Sequence, residues 1–295
     1  MTGHGRLALA SSGSARSGRS RPLCRPACHA GAVPTDAPEP SRRPSVVAAA
    51  TELVGLPGQG RRFTGERSVR LGDVGPNGHL RLDAVARYLQ DVANDDALDA
   101  QLPNAFGWVV RRTLIEVEAM PRLGERVSAT TFCSGVGRSW AERRTSFRGD
   151  AGGALEAVSL WVQVDPDSGR PAALGEAFSA IYGATAGERR VSARLGLPAP
   201  PPPDVPDASS ASWTVRRVDL DVLGHVNNAV AWALLHELLG EAVTGAGTGE
   251  VEHVAAVDPT DSPLGLRWQT DADGATTAWL LADGAVRTAT RWRPA

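Results

Sequence analysis

The chain has 295 residues, an apolar fraction of 42% and a formal net charge of −2, which allow one large domain or two smaller ones with real cores. It has no run of eighteen consecutive apolar residues, so no membrane span is expected. The near-neutral charge gives no global attraction to nucleic acid or to an anionic membrane. All 31 basic residues are Arg, a compositional bias that gives each choice of Arg over Lys little functional weight. The three cysteines, Cys24, Cys28 and Cys133, are too scattered for a disulfide framework. Although His29 follows Cys28, no second ligand pair lies nearby, so no metal site is expected and a reducing compartment fits best.

Residues 1–60 are rich in Ser, Arg, Gly, Ala and Pro, with no acid before Asp36. Such a segment buries too little apolar area to offset its ordering entropy, so it reads as a disordered extension. A start called too far upstream or an organellar transit peptide are the other readings. From Phe63 the texture changes. "ERSVRL" reads as a strand, and "RLDAVARYLQDVA" places Leu82, Val85, Leu89 and Val92 at helical spacing. Four strand-like runs follow: "WVVRRTLIEVEAM", "RVSATTFCSG", "WAERRTSFRG" and "LEAVSLWVQVD", separated by turn signals such as "PRLG" and "DPDSG". Four consecutive prolines in "LPAPPPPDVPDASSAS" predict a stiff, extended linker over 191–212.

Beyond the linker the order repeats. "WTVRRVDL" is strand-like, residues 225–239 read as a nearly all-apolar buried helix, and "GEVEHVAAVD", "GLRWQTD", "ATTAWLLAD" and "AVRTATRWR" read as short strands. A helix followed by antiparallel strands, twice, is an α+β pattern. The two halves also align without a gap. Val69, Arg70, Asp73, Gly78 and His79 pair with Val215, Arg216, Asp219, Gly224 and His225 at a constant offset of 146. We read an internal duplication, with the two histidines at equivalent positions on two helices that share one side of a sheet.

The stretch "DLDVLGHVNN" places two carboxylates, an imidazole and two amides at the mouth of the second apolar helix. A helix N-terminus offers unpaired N–H groups and a partial positive charge, so a carbonyl held there is polarised where negative charge develops. Asp219 is matched by Asp73 and reads as a structural turn or cap acid. Asp221 is matched by Gly75, so its carboxylate is specific to the second half and reads as functional. Gly224 suits an unusual backbone conformation. His225 is open to structural and catalytic readings. Of Asn227 and Asn228, one reads as a cap and the other as a ligand-facing amide. Gln90, Asp91, Asp95 and Asp96 lie on or just past the first helix, where they could face the site or form a solvated acidic end. The Arg pairs at 111–112, 143–144, 189–190 and 216–217 read as solvated strand faces, or as a surface for an acidic carrier protein.

The order of strand, D-x-D-x-x-G-H-V-N-N, apolar helix and antiparallel strands resembles the acyl-ACP thioesterases. The W-V-V-x-R and P-x-x-G of "WVVRRTLIEVEAMPRLG" resemble the first half of that family. The resemblance covers roughly residues 63–293 and implies a tandem hotdog fold, each half a central helix wrapped by an antiparallel sheet. The implied domains are 61–190 and 213–295, forming a pseudo-dimer within the chain, with a homodimer as a further option. It implies hydrolysis of acyl thioesters, with Asp221 and His225 catalytic and Gly224, Val226, Asn227 and Asn228 binding substrate. Asp91 and Glu237 are the next candidates for the acid. The implied partner is acyl carrier protein or acyl-CoA, the compartment cytoplasmic, and no cofactor or metal is required. Leu223 stands where the plant enzymes carry Asn, and Asn77 occupies that slot in the first half. A further acid that the family carries on the following strand has no match near Ala256. A non-catalytic acyl-binding module and a hotdog dehydratase or hydratase are the alternative functions. The absence of a G-x-S-x-G elbow argues against an α/β-hydrolase thioesterase.

Overall fold

The computed structural model describes residues 52–103, 107–202 and 209–295. The expectations for residues 1–51, including Cys24, Cys28 and His29, lie outside the described residues, and residues 52–60 carry no regular secondary structure. The first half comprises β1 (Phe63–Ser68), α1 (Leu82–Asp99), β2 (Trp108–Ala119), β3 (Arg126–Val136), β4 (Trp140–Gly149) and β5 (Ala154–Gln163). Helix α2 (Glu176–Ala186) follows. The second half comprises β6 (Ser209–Trp213), α3 (Val230–Leu239), β7 (Gly247–His253), β8 (Leu264–Thr270), β9 (Thr276–Ala282) and β10 (Ala285–Pro294).

All ten strands of the described residues form one sheet, in the order β1-β3-β4-β5-β2-β7-β10-β9-β8-β6. Each half uses the same order, and the halves join edge to edge where Arg112 to Val117 of β2 pair antiparallel with Glu252 to Gly247 of β7. One sheet replaces two exposed edges, which would otherwise be sites of aggregation. α1 and α3 pack against each other on one side of the sheet and share a core. Leu82, Val85, Leu89 and Val92, the residues at helical spacing, are all buried there beside Ile115, Val117, Trp232 and Val251. A second cluster of Leu234, Val257, Leu264, Leu266, Ala278 and Leu280 fills the other half.

The structure departs from the sequence reading in several places. α1 runs to Asp99, so Asp95 and Asp96 are helical. Asp96, expected at a helix end open to solvent, is only 1% exposed. α3 starts at Val230, not at 225. Residues 220–229 instead form a turn closed by a bridge between Leu220 and Val226. His225 therefore lies on the turn, as does His79, which pairs with Arg122. α3 also buries one face rather than its whole circumference: Ala231, Trp232, Leu234 and Leu235 are buried, while Glu237 is exposed. The strand expected over 213–220 ends at Trp213.

Helix α2 has no counterpart in the sequence reading. Only Phe178, Tyr182 and Ala186 are buried along it, a narrow stripe that carries a weak periodic signal. The Arg pairs do not all form solvated faces. Arg112 and Arg144 are 6% and 5% exposed, and Arg189 pairs with the fully buried Glu142. Residues 191–198 cross the outer face of the sheet, where Glu252 accepts the backbone N–H groups of Gly196 and Leu197.

Candidate active site

Two turns with matching hydrogen bonds lead into α1 and α3. Asp219 accepts the Arg216 backbone N–H at 2.8 Å, as Asp73 accepts that of Arg70 at 3.2 Å. The Asn227 N–H reaches the Asp219 carbonyl at 2.8 Å, as Arg81 reaches that of Asp73 at 2.9 Å. Gly224 and Gly78 have φ of 77° and 76°, in the left-handed region where a side chain is strained. Asp219 is 3% exposed and also holds the Arg216 guanidinium at 2.8 Å. It is a cap for the turn. Asp219→Ala is expected to lower stability by about 1–2 kcal/mol, read as a lower Tm, with turnover nearly unchanged; a large fall in kcat at unchanged Tm would contradict this.

Asp221 caps the same turn. Its Oδ1 accepts the Leu223 and His225 backbone N–H groups at 2.9 and 3.1 Å. Its Oδ2 has no hydrogen-bond partner among the described residues and is the oxygen available to accept a proton. The His225 side chain is exposed on this turn, and Leu223, in the slot where the plant enzymes carry Asn, is 71% exposed. Val226, expected to bind substrate, packs against the second-half core. The two amides have separate tasks. Asn227 Oδ1 accepts the Ala229 N–H at 2.8 Å and the Gln90 Nε2 at 3.2 Å, so it caps the entry to α3 and ties it to α1. Asn228 lines a crevice.

Three cavities meet beside α1. An open polar basin of about 640 Å³ lies between β1, α1 and Asn227, with Arg67, Arg70, Arg87 and Arg126 on its walls. A crevice of about 10 Å³, the room of one water-sized group, lies among Asn228, Trp232, His253, Thr113, Ser159 and Trp161. A cavity of about 180 Å³ runs beneath α1, walled by Ala93, Ala97, Trp108, Cys133, Ala141 and Trp161. Phe178 and Tyr182 of α2 also line this cavity. Trp108 and Phe178 rings lie 5.5 Å apart, and Phe178 and Tyr182 rings 5.0 Å apart. Beyond them Asp96 binds Arg61, Arg143 and the Tyr182 hydroxyl at 2.7, 2.6 and 2.9 Å. Burial pushes the Cys133 thiol up to about 12, so it acts as an apolar wall and not as a nucleophile. Burial, helped by the Arg111 charge, lowers His253 to about 4, so its imidazole is neutral at physiological pH.

The sequence reading placed Gln90 on the first helix, where it could face the site, and passed over His253, Trp161, Phe178 and Tyr182. Only the tertiary fold brings these together: Trp161 faces Val110 across β5 and β2, His253 ends β7, and α2 carries Phe178 and Tyr182. Among the described residues no cluster of His, Cys, Asp or Glu has the form of a metal site, and no helix is long and apolar enough to cross a membrane.

Helices packed on one side of a single antiparallel sheet, with a polar basin and an apolar cavity beside them, define an α+β protein of the hotdog class. The acyl-ACP thioesterase N-terminal domain model matches residues 60–182 and the C-terminal domain model residues 204–248, together more than half of the chain. The chain belongs to the acyl-ACP thioesterase family. An uncharacterised protein of Mycobacterium tuberculosis is 29% identical over 78% of this chain and 92% of its own length. The chloroplastic oleoyl-acyl carrier protein thioesterase of Coriandrum sativum is 25% identical over 86% of this chain and 76% of its own. The fold is similar to the 12:0-ACP thioesterase of Umbellularia californica, with a TM-score of 0.64 at 22% identity over 82% of this chain and all of that one. It is also similar to a candidate oleoyl thioesterase of Lactobacillus plantarum, with a TM-score of 0.66 at 19% identity over 81% of this chain and 98% of that one.

Proposed function

We propose that this protein hydrolyses acyl-ACP to free fatty acid and carrier protein, as a tandem hotdog whose two halves form a pseudo-dimer with one productive site. The observation that carries the reading is the convergence of a polar basin, a carbonyl-sized crevice and an apolar cavity on Gln90 of α1, with the basin and the crevice reaching Asn227 and Asn228 at the entry to α3. Such a site suits a substrate with a polar carrier arm, a thioester and a hydrocarbon tail. The basin takes the pantetheine arm, the crevice takes the thioester, and the cavity under α1 takes the acyl chain.

Water adds to the carbonyl carbon while Asp221 Oδ2 takes its proton. The carbonyl π electrons move to oxygen, and their return expels the thiolate, which recovers the proton. His225, exposed on the same turn, orients the water or relays the proton. General-base catalysis of this kind supplies about 10²–10⁴-fold. The proposed compartment is the cytoplasm. A non-catalytic acyl-binding module is the second reading. Two observations favour it: Leu223 in the Asn slot, and the placement of Asp221 and His225 outside the walls of the three cavities.

The test is release of free thiol from a panel of acyl-ACP and acyl-CoA substrates of graded chain length. Hydrolysis of acyl-ACP supports the first reading. Fatty-acid binding with no hydrolysis at any length establishes the second. The α2 aromatics close the cavity, so Phe178→Ala is expected to shift the preferred chain to greater length; an unchanged length profile in a folded variant would place the chain elsewhere.

A further inference from the structure

The two halves differ in how each treats the entry to the other's helix. In the first half that entry is sealed. The Leu82 N–H, at the start of α1, donates to His236 Nε2 at 3.0 Å. Burial lowers the pKa of His236, which keeps that nitrogen free to accept. Asn77 donates to the Thr244 hydroxyl at 3.0 Å. A Cβ on Gly75, the counterpart of Asp221, would lie 3.3 Å from a Glu241 carboxylate oxygen. An acid there would meet a like charge, and a substrate carbonyl could reach the Leu82 N–H only by displacing the imidazole that already accepts from it.

The second half inverts this arrangement. At the same offset of 146 the counterpart of Leu82 is Asn228, and that of His236 is Gln90. The Asn228 backbone N–H has no partner among the described residues. Gln90 does not cap it. Its amide instead reaches Asn227 Oδ1 at 3.2 Å, a long contact by N–H···O standards. Gln90 also lines the basin, the crevice and the apolar cavity alike. A substrate passing from the basin into the cavity must pass this side chain.

We propose that Gln90, supplied by the first-half helix, donates a hydrogen bond to the carbonyl oxygen of the reacting thioester, and that the exchange of His for Gln between the halves leaves a single productive site. The inference rests on the thioesterase reading above and adds a residue to it. Gln90 Nε2 has two N–H donors, so one can stay on Asn227 while the other meets the carbonyl. As negative charge grows on that oxygen the bond strengthens, which lowers the barrier more than it tightens substrate binding. The degenerate half thus holds the substrate of the catalytic half.

Gln90→Met is nearly isosteric and removes both donors. It is expected to lower kcat at least about tenfold, less than a lone oxyanion donor because backbone donors remain. KM and fatty-acid affinity should stay within about twofold, a split that a packing role would not produce. Gln90→Leu is the second variant should Met fail to fold. His236→Ala is the control: Tm should fall while kcat holds, because the sealed entry carries no substrate. Wild-type kcat in a folded Gln90→Met or Gln90→Leu protein overturns the inference and leaves the thioesterase reading standing. Absence of wild-type turnover on every acyl thioester removes both.

Discussion

Asp221→Asn is expected to lower kcat on acyl-ACP by about 10²–10⁴-fold while leaving Tm and fatty-acid affinity almost unchanged. The structure makes this a clean substitution. Asp221 holds its turn through Oδ1, which accepts the Leu223 and His225 N–H groups. An Asn side chain offers the same acceptor, and the first half already uses one: Asn77 Oδ1 accepts the His79 N–H at 3.0 Å. The amide therefore preserves the turn and removes only the proton acceptor at the other oxygen. The measurement is steady-state hydrolysis beside a melting curve and a fatty-acid titration. Wild-type turnover by the variant would send the search for the base elsewhere. Asp91 and Glu237 are then next, although Asp91 is held in an ion pair with Arg67 at 2.8 Å.

Asp96→Ala is expected to cost about 3–5 kcal/mol of stability, because it strands buried charge. Asp96 is 1% exposed, and its carboxylate binds Arg61, Arg143 and the Tyr182 hydroxyl. Removing it leaves the Arg143 guanidinium, itself only 14% exposed, without the carboxylate it pairs with. It also frees the α2 tyrosine that closes the cavity beneath α1. For a domain stable by about 5–15 kcal/mol such a loss is a large fraction of the total. Urea unfolding of both proteins measures it directly. A change under about 1 kcal/mol would mean that water reaches the site and screens the two arginines. Replacing Asp96 and Arg143 together by apolar residues of similar volume should recover most of the loss, since a buried pair contributes little net stability when both partners go.

Much of the fold was legible because its signals are local. Strand-like runs bounded by turn signals located β2 to β5 and β8 to β10 within a residue or two, whereas β7 ends at His253, five residues before the expected end at Asp258, and the spacing of Leu82, Val85, Leu89 and Val92 located α1. The twin turns were legible as a repeat, and their hydrogen bonds match almost atom for atom. The start of α3 was misplaced at 225, in front of the poor helix formers Asn227 and Asn228, whereas the Leu220–Val226 bridge holds residues 220–229 in a turn and the helix begins at Val230. Asp96 was misread for a related reason. An acidic run at a helix end reads as solvated unless its partners are known, and Tyr182 lies on a helix that composition hardly marked.

What the sequence alone determined was each half's order of elements, the duplicated turn and the asymmetry between Asp221 and Gly75, all of which are patterns within a dozen or so neighbouring residues. What the tertiary structure decided was which residues meet. Gln90 and Asn227 are 137 positions apart, Leu82 and His236 154, and Asp96 and Tyr182 86. Periodicity fixes the face a side chain takes on its own helix or strand, but not which distant face comes to lie against it. That choice was made by the β2–β7 pairing, which sets α1 beside α3 and so turns one half's helix into the wall of the other half's site.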